Sequence, residues 1–373
     1  MSEPTIQIEE VEGLDTPQSE GWAEYPLDSV FVRTETRTVG EIVRRIRAGR
    51  YIMDPDFQRD FVWPEDKQSK LIESCVMRIP LPVLYVAEAQ DGRIVVVDGL
   101  QRLTTFLRFL GGELILKGLG ADSEESEPHP LNGKKFADLP LPLRERIEDT
   151  QLTLYILDSK APERARLDIF DRVNSGVPLS RQQMRNSLYN GPATRWLKNT
   201  ADSQLFLEVT GGSLDPKSMR DREAINRFCA FHLLGWRGYV GGDMDGFLAR
   251  ALETMNTMPD EGLEALRTSF DRSMSINSQL FGRHAFRKSL AADNPNVNRS
   301  VINIALFDVC STMFAKLGPN ELHRLDAVRT AILHLIPEHS FSFAITYSTN
   351  STRQVRARFS AAEAAIKESI SSC

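Results

Sequence analysis

Five consecutive residues, Asp98-Gly99-Leu100-Gln101-Arg102, bring together a carboxylate, a glycine, an amide and a guanidinium. Residues 94–97 ahead of them are apolar and suit a buried strand; Leu103, Phe106, Leu107 and Leu110 behind them recur at helical spacing. Asp98 therefore ends a strand, Gly99 permits a tight turn, and Gln101 and Arg102 fall in the first helical turn. Unpaired backbone N–H groups and the positive end of the helix dipole favour an anion such as phosphate there. Arg102 can grip that phosphate in a bidentate way, Asp98 can hold Mg2+ or polarise a water, and Gln101 can orient the water. A plainer alternative fits the same residues: Asp98 caps the helix while Gln101 and Arg102 face solvent.

Two other segments carry similar groups. In 55–63, Gln58 and Arg59 lie between the aromatics Phe57, Phe61 and Trp63, a mix that can order a cation beside a pocket or simply pack down as a loop. In 170–180, a helix ends near Asn174-Ser175-Gly176 and Ser180 caps the next. Arg172 and Asn174 there either face a ligand pocket or cap a helix end.

The elements that position these groups follow from periodicity. Thr38-Val39-Gly40-Glu41 reads as a capping box for a short amphipathic helix ending at Gly49, and Pro64 opens a second helix that Pro80 ends. Residues 83–88 and 93–97 flank Asp91-Gly92 as a hairpin; 140–149 reads as a helix and 151–157 as a strand. Beyond residue 160 the pattern is helical, over 161–173, 180–201, 220–236, 244–257, 260–280, 298–317, 320–336 and 353–370. The fold class is thus α/β plus all-α: a flexible acidic tail (1–25), an α/β domain (26–158) and a larger α-helical domain (159–373).

Composition narrows the function classes. The formal net charge is −6, yet the first 32 residues hold eight acids and no Lys or Arg, which leaves the body slightly basic. That body is rich in Arg, with 34 Arg against 11 Lys in the chain, a bias that suits phosphate recognition and also follows from codon usage alone. The clusters Arg181/Arg185/Arg195, Arg283/Arg287/Lys288/Arg299 and Arg353/Arg356/Arg358 either track a DNA backbone or pair with acids on neighbouring helices. Four widely spaced cysteines with no CxxC pair disfavour a zinc ribbon or disulfide scaffold. No apolar run suits a membrane span or a signal peptide, so a soluble cytoplasmic protein is expected. No GxxxxGK[ST] loop and no GxSxG elbow occurs.

Taken together, FQRDFVW (57–63) followed by IPLPVLYV (79–86), VVDGLQRLTTF (96–106) and IFDRVNSGVPLSRQQMRN (169–186) resemble the DUF262 family, related to the ParB/sulfiredoxin-like superfamily. The resemblance spans about 130 residues. It implies a ParB/sulfiredoxin-like α/β domain whose DGQQR-type motif binds and often hydrolyses a nucleoside triphosphate, in bacterial systems that restrict modified or foreign DNA. Carried onto this chain, it assigns Asp98, Gly99, Gln101 and Arg102 to the nucleotide site, and it matches Arg59, Arg172 and Asn174 to family positions expected to bind the nucleotide. The family usually has Gln where this chain has Leu100, a departure that removes one polar contact and bears on turnover more than on binding.

Many relatives add an HNH-type nuclease. His334-Leu335-Ile336-Pro337-Glu338-His339 has the look of its H-x-x-P element, but no further His follows, and His334 sits among apolar residues where a packed or capping role is commoner. No nuclease is therefore expected here, and 373 residues leave no room for one. Two functions remain: a Mg2+-dependent NTPase working with DNA, or a non-catalytic nucleotide- or DNA-sensing module that recruits a separate nuclease or effector subunit. Self-association is compatible with either.

Overall fold

The computed structural model describes residues 8–14, 32–53, 63–89, 91–120, 129–161, 165–169, 180–294, 296–318 and 321–371. The chain divides into two compact units, Ala23–Leu179 and a second that joins Ser180–Cys373 to the N-terminal segment Met1–Trp22. The α/β-then-helical order expected from the sequence is the order found.

In the first unit, β1 (Val32–Thr38), α1 (Val39–Arg47), β2 (Tyr51–Ile52), α2 (Glu65–Val76), β3 (Leu84–Glu88), β4 (Ile94–Asp98), α3 (Leu100–Leu110), α4 (Leu141–Glu148) and β5 (Gln151–Leu157) follow one another. They form one five-stranded sheet of order β1-β5-β3-β4-β2. The hairpin expected around Asp91-Gly92 is the antiparallel pair β3–β4; β5 and β2 add in parallel to β3 and β4, and β1 closes the edge antiparallel to β5. Leu84, Val86, Val96, Leu154 and Ile156 form a core with Val39, Val43 and Ile72 of α1 and α2 and with Leu103 and Phe106 of α3. Val95 and Val97 point to the opposite side and are also buried, so β4 is apolar at every position before Asp98. Thr38 caps α1 by accepting from the Glu41 N–H at 3.2 Å, but Glu41 returns no bond to the cap, because its carboxylate takes Arg45 instead.

The second unit contains α5 (Arg181–Leu188), α6 (Pro192–Ala201), α7 (Gln204–Thr210), α8 (Arg220–Leu233), α9 (Met244–Asn256), α10 (Asp260–Phe281), α11 (Ile304–Phe314), α12 (Leu325–Leu335), α13 (His339–Thr346) and α14 (Thr352–Ser371). Every residue of α11 is buried, as expected of the central helix of a bundle. One of them is a carboxylate. Asp308 accepts from Arg227 of α8 at 2.8 and 2.6 Å and from Arg358 of α14 at 2.8 Å, and all three side chains are almost fully buried. Burial pushes the Arg358 guanidinium down to about 10, against the pull of Asp308.

Several expectations need correction. The helix expected over 180–201 is two, because Pro192 lacks the N–H to continue α5 and starts α6 instead. The helix expected from 298 begins at Ile304, capped by Asn303, and α7 and α13 were not expected. Residues 165–169, within the helix expected over 161–173, are helical and group with the first unit, where Arg166 donates to the Glu88 carbonyl at the end of β3. Of the tail expected over 1–25, residues 8–14 are described. Val11 is buried, and residues 9–13 hydrogen-bond to the helical unit. His334, expected to be packed or capping, is exposed in the last turn of α12. Among the described residues, no helix is long and apolar enough to cross a membrane.

The Asp308 network gives a stability prediction. Asp308→Asn leaves two buried guanidiniums without their counter-charge and should cost about 3–5 kcal/mol. Glu363→Gln, which breaks the exposed pair with Arg237, should cost less than about 1 kcal/mol. Urea unfolding midpoints would compare the two.

Candidate functional site

The five-residue turn is built as its residue types suggest. β4 delivers Asp98, Gly99 precedes α3 with φ +106°, and Leu100 begins the helix. An L-residue at 99 would meet two obstacles: the left-handed backbone, and Leu84 of β3, whose Cδ2 occupies the space of a Cβ. The glycine therefore lets α3 fold tightly against the strand beside it.

Asp98 does not cap α3, and Arg102 does not face solvent. No side chain caps the helix, so its first N–H groups lack intrahelical partners. Arg102 is only 8% exposed. Its Nη1 donates to the Pro82 carbonyl, and its Nη2 donates to the Val83 carbonyl at 3.0 Å and to Asp98 Oδ2 at 2.9 Å. Burial lowers the Arg102 pKa, and Asp98 opposes that shift. The arginine thus ties the start of α3 to the chain leading into β3 while pairing with the carboxylate. The Asp98 side chain remains 43% exposed.

Gln101 points the other way. Its Oε1 accepts from the Trp63 backbone N–H at 3.2 Å, and the Trp63 carbonyl accepts from Gln68 Nε2 at 2.8 Å. Gln68 is itself buried on α2 and accepts from Arg108 of α3 at 2.8 Å. Lys67 lies over the Trp63 ring, 4.4 Å from its centroid. The structure therefore joins the last residue of the 55–63 segment to the turn. Arg59 of that segment, and Arg172 and Asn174 of 170–180, lie outside the described residues. Sequence reasoning missed Gln68 and the two carbonyls before β3. A polar Gln68 at the same helical spacing as the buried Leu71, Ile72 and Cys75 was the available signal.

Leu100 packs against the core of the sheet. Among the described residues, no group of three or more His, Cys, Asp or Glu could by itself hold a metal ion. A Mg2+ at Asp98 would need oxygens from a bound phosphate, a usual arrangement for that ion. One half-exposed carboxylate beside an uncapped helix N-terminus fits that requirement.

The sheet and the DGLQR turn, with its tie to Trp63, make a small α/β domain whose candidate site lies at the start of α3. Residues 39–190 match the family described as the GmrSD restriction endonuclease, N-terminal domain, so the chain is GmrSD-like over that span. No curated protein and no solved structure matches the chain.

The turn predicts a contrast between two glycines. Gly99→Ala should cost about 2–4 kcal/mol, because backbone strain adds to the overlap with Leu84. Gly92→Ala, also at positive φ but with open space around it, should cost about 1 kcal/mol. Denaturant melts of the two variants would show the difference.

Proposed function

We propose that the chain binds a nucleoside triphosphate with Mg2+ at the 98–102 turn and hydrolyses it, as part of a system that restricts modified or foreign DNA. The observation that carries this reading is the uncapped N-terminus of α3, locked by Gly99 and Arg102 beside the half-exposed Asp98. The free N–H groups and the dipole of α3 would hold the phosphates. Asp98, together with phosphate oxygens, would hold Mg2+, which supplies neutralisation of phosphate charge. Gln101 keeps its Nε2 donor for a water or a phosphate oxygen while its Oε1 holds Trp63. Arg102 acts mainly by fixing the turn, with its unengaged N–H groups left for the phosphate. Arg59, Arg172 and Asn174 complete the nucleotide site on the strength of the family resemblance. The description of the matched domain supports the restriction role.

Two observations favour a second reading, a sensing module that binds nucleotide without turnover and recruits a separate nuclease or effector subunit. Leu100 turns an apolar side chain into the core where the family usually has Gln, and Arg102 spends most of its donors on protein oxygens.

A panel of ATP, GTP, CTP and UTP with Mg2+ separates the two. Hydrolysis predicts phosphate release with at least one nucleotide and a loss of about 100-fold or more in Asp98→Ala. The sensing reading predicts a raised melting temperature without phosphate release. No thermal shift and no release with any of the four would remove both.

A further inference from the structure

The described part of the acidic N-terminal segment sits on a basic site of the helical unit. The Glu9 carboxylate is shared between two guanidiniums: Oε2 with Arg287 Nη1 and Oε1 with Arg299 Nη2, each at 2.5 Å. Glu12 pairs with Lys288 Nζ at 2.5 Å. Burial alone would raise the Glu9 carboxyl, but the hydrogen bonds and charges of Arg287 and Arg299 hold it below the ordinary carboxylate range.

Arg287 is fully buried and does not depend on Glu9 for its position. It also donates to the carbonyls of Ser300 and Thr210 and to Ser213 Oγ, while its Nε is buried without a partner. Lys288 is likewise steadied by Thr346 Oγ1 at 2.7 Å. Arg287 and Lys288 are thus held in place by the helical unit itself, and a buried guanidinium without an anion beside it would be costly. What holds the acidic segment is slight by comparison. Glu9 N–H donates to Ser213 O, Glu12 exchanges backbone bonds with Ile302 and Ile304, Thr349 Oγ1 donates to Gly13 O, and Val11 is the buried apolar anchor.

We propose that Arg287, Lys288 and Arg299 form a binding site for the phosphate backbone of duplex DNA, and that Glu9 and Glu12 occupy it in cis as phosphate mimics. A carboxylate shared by two guanidiniums has the charge and bidentate geometry of a phosphodiester in the same place. Three residues of chain separate the two acids by no more than about 10 Å. A few successive phosphates of one strand, at about 3.4 Å of rise each, cover that span. Arg283, exposed and bonded to the Val297 carbonyl, extends the basic surface. The DNA ligand rests on the DNA-directed role proposed above. The masking contact lies in the helical unit, so its test is separate from nucleotide turnover at Asp98.

The test is the affinity of the full chain for a labelled DNA duplex over a salt series. Glu9→Gln should tighten binding at least about fivefold and steepen the salt dependence by about one or two released ions. Glu10→Gln makes the same change of net charge at an exposed neighbour and should alter binding less than about twofold. Adding Arg299→Gln to Glu9→Gln should return affinity to the wild-type level. Equal effects of the Glu9 and Glu10 variants, or a gain that survives Arg299→Gln, would overturn the proposal. Should Glu9→Gln prove less stable, the duplex must still raise its melting temperature more than that of the wild type; an equal shift also overturns it. Phosphate release by the same variants reports separately on the nucleotide site, so failure of one reading is not mistaken for failure of the other.

Discussion

The position of the candidate site depends on one backbone constraint, the left-handed conformation of Gly99 against Leu84. A strand buried on both faces cannot end in an acid and start a helix within one residue unless the chain reverses sharply, and no side chain fits in the reversal. Arg102 then fastens what the glycine allows. By spanning the Pro82 and Val83 carbonyls and Asp98, it joins the chain entering β3, the end of β4 and the start of α3 through one guanidinium. Its rigid fork can serve several acceptors at once, which a lysine in the same place could not. The helix N-terminus left uncapped is therefore a fixed feature of the sheet and not a mobile loop end.

The same use of arginine recurs in the helical unit with a different result. Arg227 and Arg358 share Asp308, while Arg185 is buried with Asp245 and Glu223. The high Arg content is thus spent partly inside the protein, which weakens any argument from composition to a basic surface. Burying ions adds little net stability over apolar packing, but it makes each pairing hard to exchange for another. Asp308, held from α8 and α14 at once, limits how those two helices can sit against α11.

Local signals in the sequence were the legible ones. The β3–β4 hairpin, β5 and the cap of α1 each rest on residues close together in the chain, and the structure follows them. β1 was not legible, because VRTETRT is a polar edge strand whose register is set by β5, more than a hundred residues later. The site divides along the same line. Asp98, Gly99 and Arg102 were found from their spacing, yet Arg102 was assigned to a phosphate when its nearest acceptors are carbonyls about 20 residues earlier. The partner of Gln101 lies 38 residues away in a different motif. Periodicity carries no information about such pairings.

The acidic N-terminal segment extends that argument from fold to charge. Low hydrophobicity and clustered acids normally describe a chain that cannot bury enough surface to order. Here one valine, a few backbone hydrogen bonds and three ion pairs hold the segment, and Arg287 and Lys288 are already held by carbonyls and hydroxyls of the helical unit. The ordering cost falls on only a few residues, and the compensation comes from charges more than 270 residues away in sequence. The net charge of −6 is therefore not spread over the surface: some of the acid is turned inward onto Arg287, Lys288 and Arg299 of the helical unit. Whether such a protein looks acidic or basic to a polyanion depends on where five charged residues lie, and not on the total.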